Sequence, residues 1–104
     1  MSGPELTVGR GVIAEMVTLA ALGIPGVARV SRGGPRWLAA LAGPAVVTHV
    51  SDDAVRVRVW IVARPGQGLV ALADAVESAV RAAVERLLGL RLESVTVTVD
   101  GVGG

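Results

Sequence analysis

The second half of the chain switches from a helical to an alternating pattern of apolar residues. From Leu69 to Leu88, apolar residues recur every three or four positions, with charged residues on the opposite side. From Val95 to Val99, valine alternates strictly with threonine. The first pattern predicts an amphipathic helix and the second predicts a strand with one buried face, so we expect a helix that packs on a sheet.

The first part of the chain shows the same two patterns over shorter segments. Val12–Leu22 has a helical period, Gly23 has the position of a C-terminal helix cap, and Pro25 prevents the helix from continuing. Val27–Val30 then predicts a short strand, and Leu6–Val8 predicts another strand ahead of the helix.

A β-hairpin is predicted in the middle of the chain. The apolar segments Ala45–Val50 and Val55–Ala63 surround the turn sequence Ser51–Ala54. Because the turn fixes the register, three cross-strand pairs follow from it. These pairs are Val50 with Val55, Thr48 with Val57, and Val46 with Val59, and together with Ile61 they form one apolar face.

The predicted elements follow the order (β)-α-β-β-β-α-β within one α+β domain that spans residues 1–104. Helices and strands are mixed, and the central pair is an antiparallel hairpin, which favours a two-layer sandwich. We expect a mostly antiparallel sheet of three to four strands, with two helices on one face. The Gly- and Pro-rich connection Ser31–Pro44 lies within this order, and Pro35–Leu41 predicts one or two helical turns inside it.

The composition limits the kinds of catalytic, metal-binding and electrostatic function that the chain can have. The 104 residues include no cysteine, lysine or tyrosine, the ten basic residues are all arginine, and the net charge is +1. Without cysteine, disulfides, thiolate nucleophiles and cysteine-ligated metals are excluded. A chain so close to neutral has no strong overall field to attract nucleic acid or anionic lipid.

No segment predicts a membrane span. A spanning helix needs about 20 apolar residues, and the longest uncharged run, Trp37–Ser51, is shorter and is broken by Gly43 and Pro44. Met1–Glu5 lacks the basic and then apolar pattern of a signal peptide. We therefore expect no direct membrane insertion, and contact with a membrane only at its surface or through a partner.

The outer face of the predicted hairpin carries the candidate interaction surface. Arginine and tryptophan are enriched at the centres of protein interfaces, and a guanidinium group can stack on an indole ring. Basic residues beside an aromatic ring also suit single-stranded RNA, but a lone tryptophan and a low net charge favour a protein partner. The residues of this surface are His49, Arg56, Arg58, Trp60 and Arg64.

The other polar residues favour structural roles. His49 is the only histidine, and no cysteine or second histidine is present to complete a metal site. Asp52 and Asp53 are typical turn formers, since aspartate tolerates left-handed backbone. Gly23–Gly26 has the spacing of a nucleic-acid-clamping loop, but a helix cap and a turn explain it, and Gly66–Gly68 lacks the lysine of a phosphate-binding loop. We predict no catalytic, cofactor-binding or metal-binding residue and no small-molecule substrate.

Three stretches resemble the bacterial alkaline-shock-protein family, also called the Gls-type envelope stress response family. Gly11–Glu15, the Ala-rich helix and Ile24–Ala28 resemble the opening helix of the family and its turn into the first strand. Val55–Val62 resembles the strand before a glycine turn, and Gly68–Val102 resembles the closing helix and strand. The resemblance covers nearly the whole chain.

The resemblance implies a non-enzymatic cytoplasmic protein linked to cell-envelope or alkaline stress. Members of the family self-associate, and some lie near the membrane through an anchoring partner. We therefore expect a homo-oligomer, with a membrane-anchored protein as a further partner and with no cofactor or nucleic acid. The alternative is a small RNA-binding module that uses the basic and aromatic sheet face.

Overall fold

The computed structural model describes residues 8–52 and 54–103. Its elements are α1 (Arg10–Leu22), β1 (Val27–Val30), α2 (Arg36–Ala42), β2 (Val46–Ser51), β3 (Ala54–Ala63), α3 (Leu69–Ala82) and β4 (Arg91–Val102). A π-helical turn, Ala83–Leu87, continues α3. The predicted strand Leu6–Val8 lies outside the described residues except for Val8, which packs against the core.

β3 is the central strand, and it pairs along both of its edges. On one edge, β4 runs parallel to it from Ala54 opposite Arg91 to Ala63 opposite Val102. On the other edge, β2 lies antiparallel to the first part of β3 and β1 lies antiparallel to its end. Two of the three pairings are thus antiparallel, and the fold is the predicted α+β sandwich. The parallel pairing follows from the crossover through α3, which returns the chain to the end of the sheet where β3 begins.

The hairpin of β2 and β3 has the predicted register. Val50 lies opposite Val55, and the other two predicted pairs, Thr48 with Val57 and Val46 with Val59, are also formed. In the turn, Asp52 has a φ of 49°, which is the left-handed conformation that aspartate tolerates. Asp53 lies outside the described residues.

Two helices cover one face of the sheet and enclose a single core. Each helix buries residues spaced four apart, which are Ile13, Val17 and Ala21 on α1 and Leu72, Val76 and Val80 on α3. They pack against the inner side chains of β3, which are Val55, Val57, Val59 and Ile61. Burial of one such aliphatic side chain stabilises the fold by about 1.5–3 kcal/mol. Within the described ranges, no polar or charged residue is buried, so the polar chemistry of the chain lies on its surface.

Gly23 is the C-cap of α1, at the predicted position, but it does not have the left-handed backbone that is common at helix ends. Gly23 has a φ of −70° and a ψ of −11°, which is helical rather than left-handed, and its N–H donates to the carbonyl of Leu19 at 3.1 Å. The helical backbone therefore runs on through Gly23 and stops before Pro25, whose ring cannot continue it.

Candidate functional site

The outer face of the sheet, opposite the two helices, is divided into an open half and a covered half. Arg56 and Arg58, in the first half of β3, are exposed. Trp60 and Val62, in the second half, are only 7% and 2% exposed. The difference arises because the connection of residues 31–45, between β1 and β2, crosses the outer face over the second half of β3.

Hydrogen bonds attach this connection to the sheet at several points. The N–H of Ser31 donates to the carbonyl of Trp60 at 3.1 Å, and the N–H of Trp60 donates to the carbonyl of Ala45 at 2.8 Å. The N–H of Gly33 donates to the carboxylate of Asp100 at 2.8 Å. A β-carbon at Gly33 would collide with the main-chain oxygen of Asp100, so this close approach requires glycine.

Trp60 lies beneath two guanidinium groups. The Cζ of Arg32 is 3.4 Å from the centre of the indole ring and the Cζ of Arg58 is 5.0 Å from it. The Nε of Arg32 also donates to the carbonyl of Pro44 at 3.2 Å, which joins the two ends of the connection. Arginine stacks on the tryptophan, as the sequence suggests, but the nearer arginine comes from the connection and closes the ring off from solvent.

The open half of the outer face forms a shallow groove of about 480 Å³, called the cationic groove below. The register sets Arg56 between His49 and Ser94, and Arg58 between Val47 and Thr96. In the part of the chain that the structure describes, no carboxylate lines it. The groove is lined by Val47 and His49 of β2, Arg56 and Arg58 of β3, and Ser94 and Thr96 of β4.

This arrangement can bind an anionic group. A guanidinium presents its N–H donors in a rigid planar fork that fits the oxygens of a carboxylate or phosphate. Two such groups lie on the same face of β3, two residues apart, and the hydroxyls of Ser94 and Thr96 add donors on one side. Since the lining has cations and hydroxyls but no acidic side chain, it favours negative charge over positive charge.

The structure brings three of the five predicted surface residues together. His49, Arg56 and Arg58 line the cationic groove. Trp60 is adjacent to Arg58 but buried. Arg64 is exposed beyond the end of β3, six residues from Arg58, which corresponds to roughly 20 Å along an extended strand.

Sequence reasoning misses Ser94 and Thr96. Their alternation with valine indicates the outer face of a strand. Their place in the groove, however, requires the pairing of β4 with β3, which the alternation alone does not specify. The conformation of the connection, with its cover over Trp60, is likewise visible only in the structure.

Other kinds of site find no support in the described residues. Residues 8–52 and 54–103 contain no group of three or more His, Asp or Glu side chains that could hold a metal ion. None of the helices in these ranges combines the length and the apolar character needed to cross a bilayer.

The fold is shared with solved structures of the MamM CTD. A variant of that domain in a manganese form is 22% identical, with a TM-score of 0.58 over 89% of this chain and 99% of that chain. A variant in a zinc form is 21% identical, with a TM-score of 0.57 over 88% of this chain and 84% of that chain. Another MamM CTD structure is 20% identical, with a TM-score of 0.58 over 89% and 99% of the two chains. At these identities, the likeness establishes the fold alone.

Fold and surface together define a small α+β sandwich domain with an open, cationic sheet face. No curated protein matches the chain significantly. The chain belongs to the alkaline shock protein 23 family, described as having a cell envelope-related function, and it matches that family over residues 3–103. The resemblance to the alkaline-shock proteins is thereby confirmed.

Proposed function

We propose that this protein is a non-enzymatic interaction protein of the cell envelope, which binds an acidic segment of a membrane-anchored partner protein in the cationic groove and also self-associates. The observation that carries the proposal is the lining of the groove, where Arg56, Arg58 and His49 converge without a carboxylate among the described residues. Membership of the alkaline shock protein 23 family supports a role at the cell envelope.

The charge of the groove favours an acidic partner over a second copy of the same groove. In a two-fold symmetric dimer, the same patch of each copy forms the interface. Such a contact would bring Arg56 and Arg58 of the two copies together, and like charges at an interface cost several kcal/mol. Self-association therefore needs another surface, and the groove remains open to a partner of opposite charge.

The shape of the groove favours a chain segment over a small molecule. Sites for small molecules are concave and enclose most of the surface of the ligand. This groove is shallow, and Arg56 and Arg58 at its centre are exposed. An extended acidic peptide can contact donors on three strands at once, whereas a small anion would remain mostly in water and bind weakly.

Among the described residues, no hydrogen bond joins a side-chain hydroxyl to a side-chain base, which speaks against a catalytic role. Nucleophilic catalysis needs a nucleophile and a base within hydrogen-bond reach of each other. In the described part of the chain, the side-chain hydrogen bonds of Thr18 and Ser31 go to main-chain carbonyls. The hydroxyls of Ser94 and Thr96 lie beside arginine, which cannot accept a proton at neutral pH.

The burial of Trp60 weakens the RNA-binding alternative. Single-stranded RNA is held without sequence preference by stacking of its bases on exposed aromatic rings. Trp60 is 7% exposed beneath Arg32, so the groove offers positive charge but no open ring. The same titration that tests the proposal also tests this alternative.

The test is a fluorescence-anisotropy titration with a labelled acidic decapeptide. We expect binding at low salt that weakens as salt is added, because salt screens exposed charges. The double variant Arg56→Ala with Arg58→Ala should weaken binding at least about fivefold, since each exposed pair contributes up to about 1 kcal/mol. The control Arg64→Ala with Arg86→Ala removes two exposed arginines outside the groove and should change affinity less than about twofold on the same grounds.

Two outcomes would contradict the proposal. If both double variants weaken binding equally, only the overall charge of the chain matters, and the groove is not the site. If a single-stranded RNA oligonucleotide binds more tightly than the peptide and also depends on Arg56 and Arg58, the protein is an RNA-binding module. Affinity capture from cells with the wild-type chain and the groove variant then identifies the membrane-anchored partner as a protein retained only by the wild type.

A further inference from the structure

β4 has one edge that pairs with no residue in the described ranges. Its other edge pairs with β3, and its 12 residues make it the longest strand of the sheet. The open edge of a strand presents unpaired N–H and C=O groups, which form a template for a further strand. The opposite edge of the sheet is divided between β1 and β2, with four and six residues, so it offers no template of comparable length.

Only the middle of this edge is suited to pairing. The register between β4 and β3 is continuous from Ser94 to Val99 and shifts on either side of that run. On the N-terminal side of this run, the carbonyl of Leu92 accepts a hydrogen bond from the Nη1 of Arg81 at 3.4 Å. Charged residues flank the run at Glu93 and Asp100, whereas residues 94–99 carry no charge. Bulges and charges are features that block strand pairing at an edge, so they confine any partner strand to the uncharged run.

The uncharged run is complementary to itself in the antiparallel direction. Residues 95–99 read Val-Thr-Val-Thr-Val from either end. A second copy centred on Val97 places Val95 opposite Val99 and Thr96 opposite Thr98, and Ser94 then faces Asp100. Directly opposed side chains project from the same face of a sheet, so the valines continue the inner face and the threonines continue the outer face. Pairs of β-branched residues and pairs of threonines are both favourable across strands.

We infer that two copies of this chain pair antiparallel through the open edge of β4, in a register centred on Val97, and form one continuous sheet. The inference rests on the self-association in the proposed function and names the surface and the register that it uses. The paired run sets no like charges opposite each other. Arg56 and Arg58 of each groove remain exposed, because they lie on β3 and not at the paired edge. Asp100 of the second copy lies beside Ser94 at the margin of the groove.

The test introduces like charges across the inferred pair. In a homodimer of Thr96→Lys with Thr98→Lys, each new lysine lies opposite another lysine, which is destabilising. By sedimentation equilibrium, we expect a dimer for the wild type and a monomer for this variant at the same concentration. Thr96→Glu with Thr98→Glu should also be monomeric, and an equimolar mixture of the two variants should give a heterodimer. The control Gln67→Lys with Val70→Lys adds the same charge at exposed positions outside both edges and should remain dimeric.

The mixture keeps the test valid if a charged variant is less stable, because an unfolded chain cannot form the heterodimer. A wild type that stays monomeric at millimolar concentration overturns both self-association and the inference, while the peptide titration still tests the groove independently. A lysine variant that remains dimeric overturns the β4 interface alone. The absence of a heterodimer in a mixture of variants that both retain the far-UV circular dichroism of the wild type also contradicts the inferred register.

Discussion

Trp60 lies on the outer face of the sheet but contributes to the fold. Its ring is 7% exposed, whereas Trp37 on α2 is 67% exposed. The guanidinium of Arg32 lies over the ring at 3.4 Å from its centre, and that of Arg58 lies at 5.0 Å. The two tryptophans therefore occupy opposite environments, and their fluorescence can report on the connection between β1 and β2.

We expect Trp60 to become accessible when Arg32 is removed. In a Trp37→Phe background, the neutral quencher acrylamide should quench the remaining fluorescence weakly, and Arg32→Ala should raise the quenching toward that of an exposed tryptophan. The loss of the cation–π contact should also lower the free energy of unfolding by about 0.5–2 kcal/mol. Arg29→Ala, which removes an exposed arginine of β1, serves as the control and should leave the quenching unchanged. Equal quenching in all three proteins would show that Arg32 does not shield the ring of Trp60 in solution.

The candidate residues were predictable where they follow a local period and not where distant segments meet. The register of the predicted hairpin places His49 opposite Arg56, as the structure has them, because one turn fixes the pairing of β2 and β3. The burial of Trp60 depends on Arg32, which lies far earlier in the chain, in a segment without apolar periodicity. The contacts that attach this segment use main-chain groups of Ser31 and Gly33. Because main-chain hydrogen bonds do not depend on the identity of the side chain, the pattern of side chains does not predict them.

At the scale of elements, α3 combines buried and exposed valines on one helix. Val76 is fully buried against the sheet, and Val70 near the start of the helix is 79% exposed. Substitution by alanine removes the same atoms at both positions, so the difference in effect isolates the contribution of packing.

We expect Val76→Ala to lower the free energy of unfolding by about 2–3 kcal/mol, from lost burial and the cavity left behind. Val70→Ala should change it by less than about 0.5 kcal/mol, with a slight gain because alanine is the better helix former. Urea denaturation of the two variants beside the wild type measures both values. If the two losses are similar, α3 does not pack on the sheet through the face that includes Val76.

The elements themselves were largely predictable, and their arrangement was less so. Helices α1 and α3 and the hairpin are predicted from apolar periods that extend over 10 to 20 residues. The short helix α2 forms at Arg36–Ala42, where the sequence predicts helical turns at Pro35–Leu41. The way in which β1 and β2 share one edge of β3, and the parallel pairing of β4 on the other, depend on connections that cross the sheet. The connection between β1 and β2 carries no periodic signal, and the helical period of α3 does not specify the strand beside which β4 returns. The sequence therefore predicts the layers and the hairpin, but not the other neighbours of β3.

At the scale of the whole molecule, pairing through β4 would give two cationic grooves on the same face of one sheet. The two-fold axis of the inferred pair stands perpendicular to the sheet, because the inner valines remain on the inner face. The two β3 strands are then three strand spacings apart, or about 14 Å. Because each groove is centred opposite Val95 and the two-fold axis passes through Val97, the grooves are also offset by four residues along the strands, or about 13 Å, so their centres lie about 20 Å apart. Each groove is centred on Arg56 and Arg58 of its own β3, so a single acidic chain can reach both.

This geometry predicts a dependence of affinity on the spacing of acidic blocks in a ligand. A peptide with two acidic blocks should bind the dimer at least about tenfold more tightly than a peptide with one block, since the second contact becomes intramolecular. The gain should be largest for a flexible Gly/Ser spacer of about 11 to 16 residues, whose mean end-to-end distance is about 20 Å. Anisotropy titrations with a series of spacer lengths measure the optimum. The matched control is the same series at protein concentrations below the dissociation constant of the dimer, where the protein is monomeric. Peptides with one and with two acidic blocks should then bind with almost equal affinity. A gain that persists in the monomer, or that does not depend on spacer length, would mean that both blocks bind to one copy and that the dimer does not align the grooves.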